Sequence, residues 1–147
     1  MTEKELKAKT KNIAVSVAIL CQKLPINKVN NTYVDQILRS SASMGANYRA
    51  ACRAKSIKNF VYKLQVVEEE TDETMYFLEL LAVFNEKYRP QMRSIYKESE
   101  IVLKIVVASI KTSLKKLDNL DLKQSKIKNQ KPKIDEQGAT DRNILSR

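Results

Sequence analysis

Five carboxylates fall within six residues, Glu68-Glu69-Glu70-Thr71-Asp72-Glu73. At this density on a helix they invite a carboxylate–metal reading. Metal sites inside helical bundles, however, combine inward glutamates with Glu-x-x-His pairs. This chain has no histidine. A metal centre of that kind therefore fails, and the usual zinc ligand and general base are missing with it. Ser40, Ser41 and Ser43 have no histidine and no evident lysine beside them to take a proton, so a serine nucleophile is not expected. There is no glycine-rich phosphate loop. These residues point away from an enzyme and away from any cofactor.

A different use for the acidic run is pairing with an earlier helix. In a tight helical hairpin that turns near Lys55, residues whose numbers add up to about 112 lie side by side. Arg39 then stands level with Asp72 and Glu73 and near Glu70. Partly desolvated arginine–carboxylate pairs can fix helix register, so Arg39, Glu70 and Glu73 are candidate structural ion pairs. A solvated acidic face is the plainer alternative.

The cations near that turn form a separate group. Arg49 and Arg53 lie one turn apart on one helical face, and Lys55 and Lys58 follow. Phosphate contact needs density of positive charge and no fixed spacing. Arg49, Arg53, Lys55 and Lys58 are therefore candidate nucleic-acid contacts, with Lys115, Lys116 and the lysines after them as helpers. A basic face that is merely solvated has the same composition. The six tyrosines are scattered, unlike an RNA-stacking platform.

Four amphipathic helices must carry these residues. Thr2-x-x-Glu5 has the form of a capping box. Leu6, Thr10, Ile13, Val17, Leu20 and Leu24 then repeat with 4–3 spacing up to Pro25. A second helix is expected from Thr32 as its cap, with the stripe Val34, Ile37, Ser41, Met44, Tyr48 and Cys52. Gly45 and its small neighbours predict close approach of another helix there. Ser56 is expected to cap a third helix of about 28 residues that ends near Phe84. A turn over Asn85–Arg89 and Pro90 at the first helical position introduce the fourth, whose stripe runs from Ile95 to Leu117. The expected fold is all-α, an up-down-up-down four-helix bundle over residues 1–118. Residues 119–147 lose the pattern and carry a net charge of +3, which predicts a basic, disordered tail.

Composition agrees with a charged, helical chain. Its 147 residues are 43% hydrophobic and 30% charged, with two glycines and three prolines. The formal charge is +10, so attraction to nucleic acid, an anionic membrane or an acidic protein is expected. A soluble, high-pI protein without such a partner fits as well. Cys21 and Cys52 are expected as free thiols at opposite ends of the bundle, which fits a reducing cytoplasm. No run is apolar and long enough to cross a membrane. Ile101, Ile105 and Ala108, and likewise Tyr76, Leu80 and Val83, widen their stripes beyond one core-facing seam. That surplus implies self-association, or a broader core.

Several motifs carry a family resemblance. They are Gln36-x-x-Arg39-Ser40-x-x-Ser43-x-Gly45-Ala46-Asn47, Arg53-Ala54-Lys55-Ser56-x-x-Asn59-Phe60, and Glu69-Glu70-x-Asp72-Glu73-Thr74-x-Tyr76-Phe77-Leu78-Glu79-Leu80-Leu81. Together with Ser109-Ile110-Lys111-Thr112-Ser113, they resemble the four-helix-bundle proteins encoded in 23S rRNA intervening sequences. Asn59 stands where an Asp is common in that family, and Phe77 where a Trp is common. The superfamily also includes Avd, the accessory protein of diversity-generating retroelements. The resemblance implies a ring-shaped homo-oligomer, a homopentamer, with a basic surface. It implies RNA or DNA as a partner. In the Avd-like alternative it implies an interaction scaffold whose partner is a reverse transcriptase. It supplies no catalytic residues.

Overall fold

The alternation of leucine, valine and isoleucine with small hydroxyl residues at 4–3 spacing gives each helix one buried side. The computed structural model describes residues 1–130. They form α1 (Glu3–Lys23), α2 (Lys28–Cys52), α3 (Ile57–Phe84), a 3-10 turn (Glu86–Tyr88) and α4 (Arg89–Gln130), with no strand among them. A first unit comprises Met1–Thr112, and a second begins at Ser113 within α4.

The first unit is a bundle of antiparallel neighbours. Gly45 of α2 lies against Thr10 of α1. Arg39 of α2 meets Glu70 and Glu73 of α3. Lys9 of α1 pairs with Glu98 of α4, while a groove further along brings Leu20 to Gln91. Leu78 and Ala82 of α3 share a pocket with Met92 of α4. One core holds Leu6, Ile13 and Val17, Ile37 and Met44, Leu64, Val67 and Leu78, and Val102 and Val106.

The middle of the core contains hydroxyls as well as apolar groups. Thr10, Ser40, Ser41, Thr71, Thr74 and Ser99 are all buried. Each donates to a carbonyl of its own helix, three or four residues back. Small hydroxyl residues allow backbones to approach, and intrahelical bonding satisfies them without a partner helix. The Thr74 and Ser40 hydroxyl oxygens also lie 2.9 Å apart across the α2–α3 contact, so either can turn its single proton from its own helix carbonyl to bridge the two helices. No buried side-chain polar atom among the described residues lacks a partner.

Helix ends follow local chemistry with some differences from expectation. Thr2 and Glu5 form the capping box of α1, and Ser56 caps α3 by accepting from the Asn59 N–H. The second helix starts earlier than Thr32. Asn27 is its cap, accepting from the Asn30 N–H, because an Asn immediately after the Pro25 break serves as well as a Thr five residues later. Thr32 lies inside the helix and donates to the Lys28 carbonyl. Helix α4 begins at Arg89, one residue before Pro90.

The largest difference is at the end of α4. The pattern-based reading made residues 119–147 disordered, but α4 continues to Gln130. Its distal part contains good helix formers and no glycine or proline before Pro132. Propensity therefore sustains a helix where core-facing periodicity has ended. Residues 131–147 of the expected tail lie outside the described residues.

Candidate functional site

The site begins with the way α2 stops. The Arg53 N–H donates to the Ala50 and Ala51 carbonyls, and the Ala54 N–H donates to Ala51. Ser56 then opens α3. This short link folds Arg49, Arg53, Lys55 and Lys58 onto one end of the first unit, and all four are exposed. Lys63 follows one turn into α3, with its ammonium 5.9 Å from the Tyr62 ring centroid.

Electrostatics at this end are one-sided. No acidic residue occurs between Asp35 and Glu68. Neither α2 nor α3 has an acidic residue in its first turn. The α3 N-terminus thus keeps its positive dipole end and adds Lys58 to it. Nearby acids on α1 are already engaged. Glu3 pairs with Lys7 at 2.9 Å, and this bond holds its carboxyl below the usual range. Glu5 is spent on the Thr2 cap, whose backbone N–H lowers it likewise. Among the described residues, Arg49, Arg53, Lys55 and Lys58 form no ion pair.

Arg39 belongs to a different environment. One guanidinium nitrogen donates to Glu70 at 3.0 Å, and the other donates to Glu73. Asp72 is turned away from it. With Gln65, Glu68 and Glu69 it lines a groove between α3 and α4, floored by Leu103 and Val107. The acidic run is therefore divided between two faces. Lys115 and Lys116 are exposed on α4 in the second unit.

Three pairings escaped the sequence reading. Lys9–Glu98 joins α1 to α4. Ser40–Thr74 and Asn30–Asn85 join α2 to α3 inside the core. The antiparallel register that predicted the Arg39 pairs also brings these last two near each other, so that signal was present.

No group of three His, Cys, Asp or Glu among the described residues could hold a metal ion. Cys21 and Cys52 are free. Burial pushes the Cys21 thiol up to about 11, and Cys52 is raised by burial as well. No described helix is long and apolar enough to cross a membrane.

The profile of the family described as "23S rRNA-intervening sequence protein" matches residues 3–108, most of the chain. The chain belongs to this family. A crystal structure from Bacteroides thetaiotaomicron, described as a protein of unknown function from the S23 ribosomal protein family, is similar to it. The two are 36% identical with a TM-score of 0.66, over 76% of this chain and 99% of that one. A comparison with curated proteins finds no match. Membership agrees with the resemblance carried by the Gln36–Leu81 motifs and with the all-helical fold. The matched residues include the whole basic turn, but not Lys115, Lys116 or the distal part of α4.

Proposed function

We propose that this member of the 23S rRNA-intervening sequence protein family is a non-enzymatic, nucleic-acid-binding homo-oligomer. Arg49, Arg53, Lys55 and Lys58 contact phosphates, with Lys115 and Lys116 adding charge. The observation that carries this reading is the cation cluster without ion pairs at the α2–α3 link, next to a helix N-terminus with no acidic residue in its first turn. Buried or matched charges would have favoured a structural role. These are exposed and uncompensated, which is what a polyanion needs. A non-catalytic role is supported by the missing histidine and by core hydroxyls committed to their own helices. The assembly implied by the family resemblance is a ring-shaped homopentamer, which would multiply the basic patch around an axis.

Fluorescence anisotropy of labelled RNA and DNA across a salt series tests this. A phosphate binder shows a linear fall of log K with log salt. Absence of binding to either nucleic acid at low salt overturns the reading.

A second reading is a scaffold or accessory subunit for a reverse transcriptase, as in Avd. It is favoured by aromatic and aliphatic groups exposed on α3. Tyr76, Val83 and Phe84 lie outside the core, with Tyr33 of α2 against both Phe77 and Phe84. Such a patch suits a protein partner. Co-purification with a reverse transcriptase that survives nuclease treatment would favour it over direct nucleic-acid binding.

A further inference from the structure

The distal part of α4, residues 113–130, is a helix whose apolar stripe starts at the half-buried Leu117 and continues uncovered. Leu117, Leu120 and Ile127 fall at spacings of three and seven and so share one side. Leu120 is 46% and Ile127 56% exposed. Lys116 and Lys123 each stand one turn before a stripe residue, Leu120 and Ile127, and border the stripe on one side. Propensity keeps this extension of α4 helical, and its exposed apolar side chains are left for a partner to cover. A basic amphipathic helix of this kind suits an apolar groove with an acidic edge.

The first unit has such a groove. Leu103 and Val107 form its apolar floor, and Glu68, Glu69 and Asp72 its edge. None of these three carboxylates forms an ion pair among the described residues. The negative field continues along the same seam. Burial first, and then the carboxylates of Glu79, Glu100 and Asp72, raise the Tyr96 phenol above its ordinary pKa.

We propose that residues 113–130 of one copy dock in the α3–α4 groove of a second copy. Leu117, Leu120 and Ile127 cover Leu103 and Val107, and Lys116 and Lys123 face Glu68, Glu69 and Asp72, which withdraws Lys116 from nucleic acid in the assembly and leaves Lys115 to that role. The match is twofold, apolar against apolar and basic against acidic. A second copy is favoured over a foreign protein because every chain carries both the helix and the groove. Such a contact between unlike surfaces builds a ring when its rotation closes. The inference rests on the homo-oligomer reading and assigns it a surface.

Charge exchange in the full-length chain tests it, with nucleic acid removed by nuclease and a high-salt wash. Sedimentation velocity is run on the unaltered chain, on K116E/K123E, on E68K/D72K and on the four substitutions combined. Each double variant is expected to weaken self-association about tenfold or more, and the combined variant to recover it. Unchanged thermal melts confirm that each variant is folded. An oligomer that neither double variant weakens overturns the docking while leaving homo-oligomerisation intact. A combined variant as dissociated as its parents also overturns it. Helix variants that lose RNA binding but keep their oligomeric size assign the helix to nucleic acid instead. A monomeric unaltered chain removes the homo-oligomer reading itself.

Discussion

Asn30 and Asn85 are buried face to face and exchange both of their amide hydrogen bonds. Asn30 Nδ2 donates to Asn85 Oδ1 at 2.9 Å, and Asn85 Nδ2 donates to Asn30 Oδ1 at 2.8 Å. The second N–H of each goes to a backbone carbonyl, Pro25 for Asn30 and Leu81 for Asn85. One pair thus ties the α1–α2 link, the first turn of α2 and the end of α3 together. Replacing Asn85 by Ala strands a buried amide, and a loss of about 1–3 kcal/mol is expected. Replacing both by Leu is expected to cost less than the sum of the single changes. A urea-denaturation double-mutant cycle measures this, and simple additivity would show that the two amides act independently.

Gly45 marks a close approach of α2 to α1. A Cβ there would sit 3.3 Å from Thr10 Oγ1 and 3.5 Å from Thr10 Cβ. Alanine gains helix propensity of about 1 kcal/mol but presses on Thr10. Gly45→Ala is therefore expected to be close to neutral, and Gly45→Leu to cost about 1–3 kcal/mol through overpacking. A Gly45→Leu protein with unchanged melting temperature and oligomer size would show that no close contact is needed there.

The Arg39 pairs are expected to contribute little stability for their prominence. The Arg39 side chain is 48% exposed, and Glu70, the most covered of its partners, is at 16%. Screening by water and salt limits such pairs to about 0–1 kcal/mol. A double-mutant cycle between Arg39→Ala and Glu73→Ala should give a small coupling that shrinks further at high salt. A coupling that is large and independent of salt would indicate a desolvated pair.

For the basic turn, the expected signature is in the salt slope. Each of Arg49→Ala, Arg53→Ala, Lys55→Ala and Lys58→Ala should weaken RNA or DNA binding and lower the slope of log K against log salt by about one. Folding stability should stay within about 0.5 kcal/mol, since the four side chains are exposed. Variants that bind with the parent's affinity and slope would place the contact elsewhere.

Cys21 gives a pH-dependent test of burial. Its thiol is pushed from 9.0 up to about 11 because burial penalises the thiolate. The folded value lies above the unfolded one. The associated stability is therefore fully present below pH 9 and is lost as pH rises towards 11. Stability measured across this window should fall less in Cys21→Ala than in the parent. Alkylation of Cys21 at neutral pH should likewise be slow until the chain unfolds.

Much of this architecture was legible before the fold was known. Leu6, Thr10, Ile13 and Val17, and equally Leu64, Val67, Thr71 and Leu78, declare a helical stripe by spacing alone. The capping roles of Thr2 and Ser56 are local and were readable for that reason. The start of α2 was not, because Asn27 and Thr32 both satisfy the local rule and the chain around Asn30 decides between them. The end of α4 was misplaced because core periodicity and helix propensity stop at different residues. Among site residues, Arg49, Arg53, Lys55 and Lys58 could be grouped from sequence because a single short link holds them together. The acidic run was legible only in part: the hairpin register pairs Arg39 with Glu70 and Glu73, whereas the turning of Glu68, Glu69 and Asp72 towards α4 depends on packing.

The sequence by itself determined four helices, their buried stripes and a strongly basic charge, since helical period and charge are properties of the chain alone. Only the tertiary structure decided how charge is divided. It turned Glu68, Glu69 and Asp72 into the α3–α4 groove, away from the Glu70 and Glu73 that pair with Arg39, and engaged Glu3 beside the α2–α3 link with Lys7. Adjacent residues on a helix point about 100° apart, so neighbours in one acidic run face different helices. Which face meets which partner is fixed by packing between residues distant in sequence.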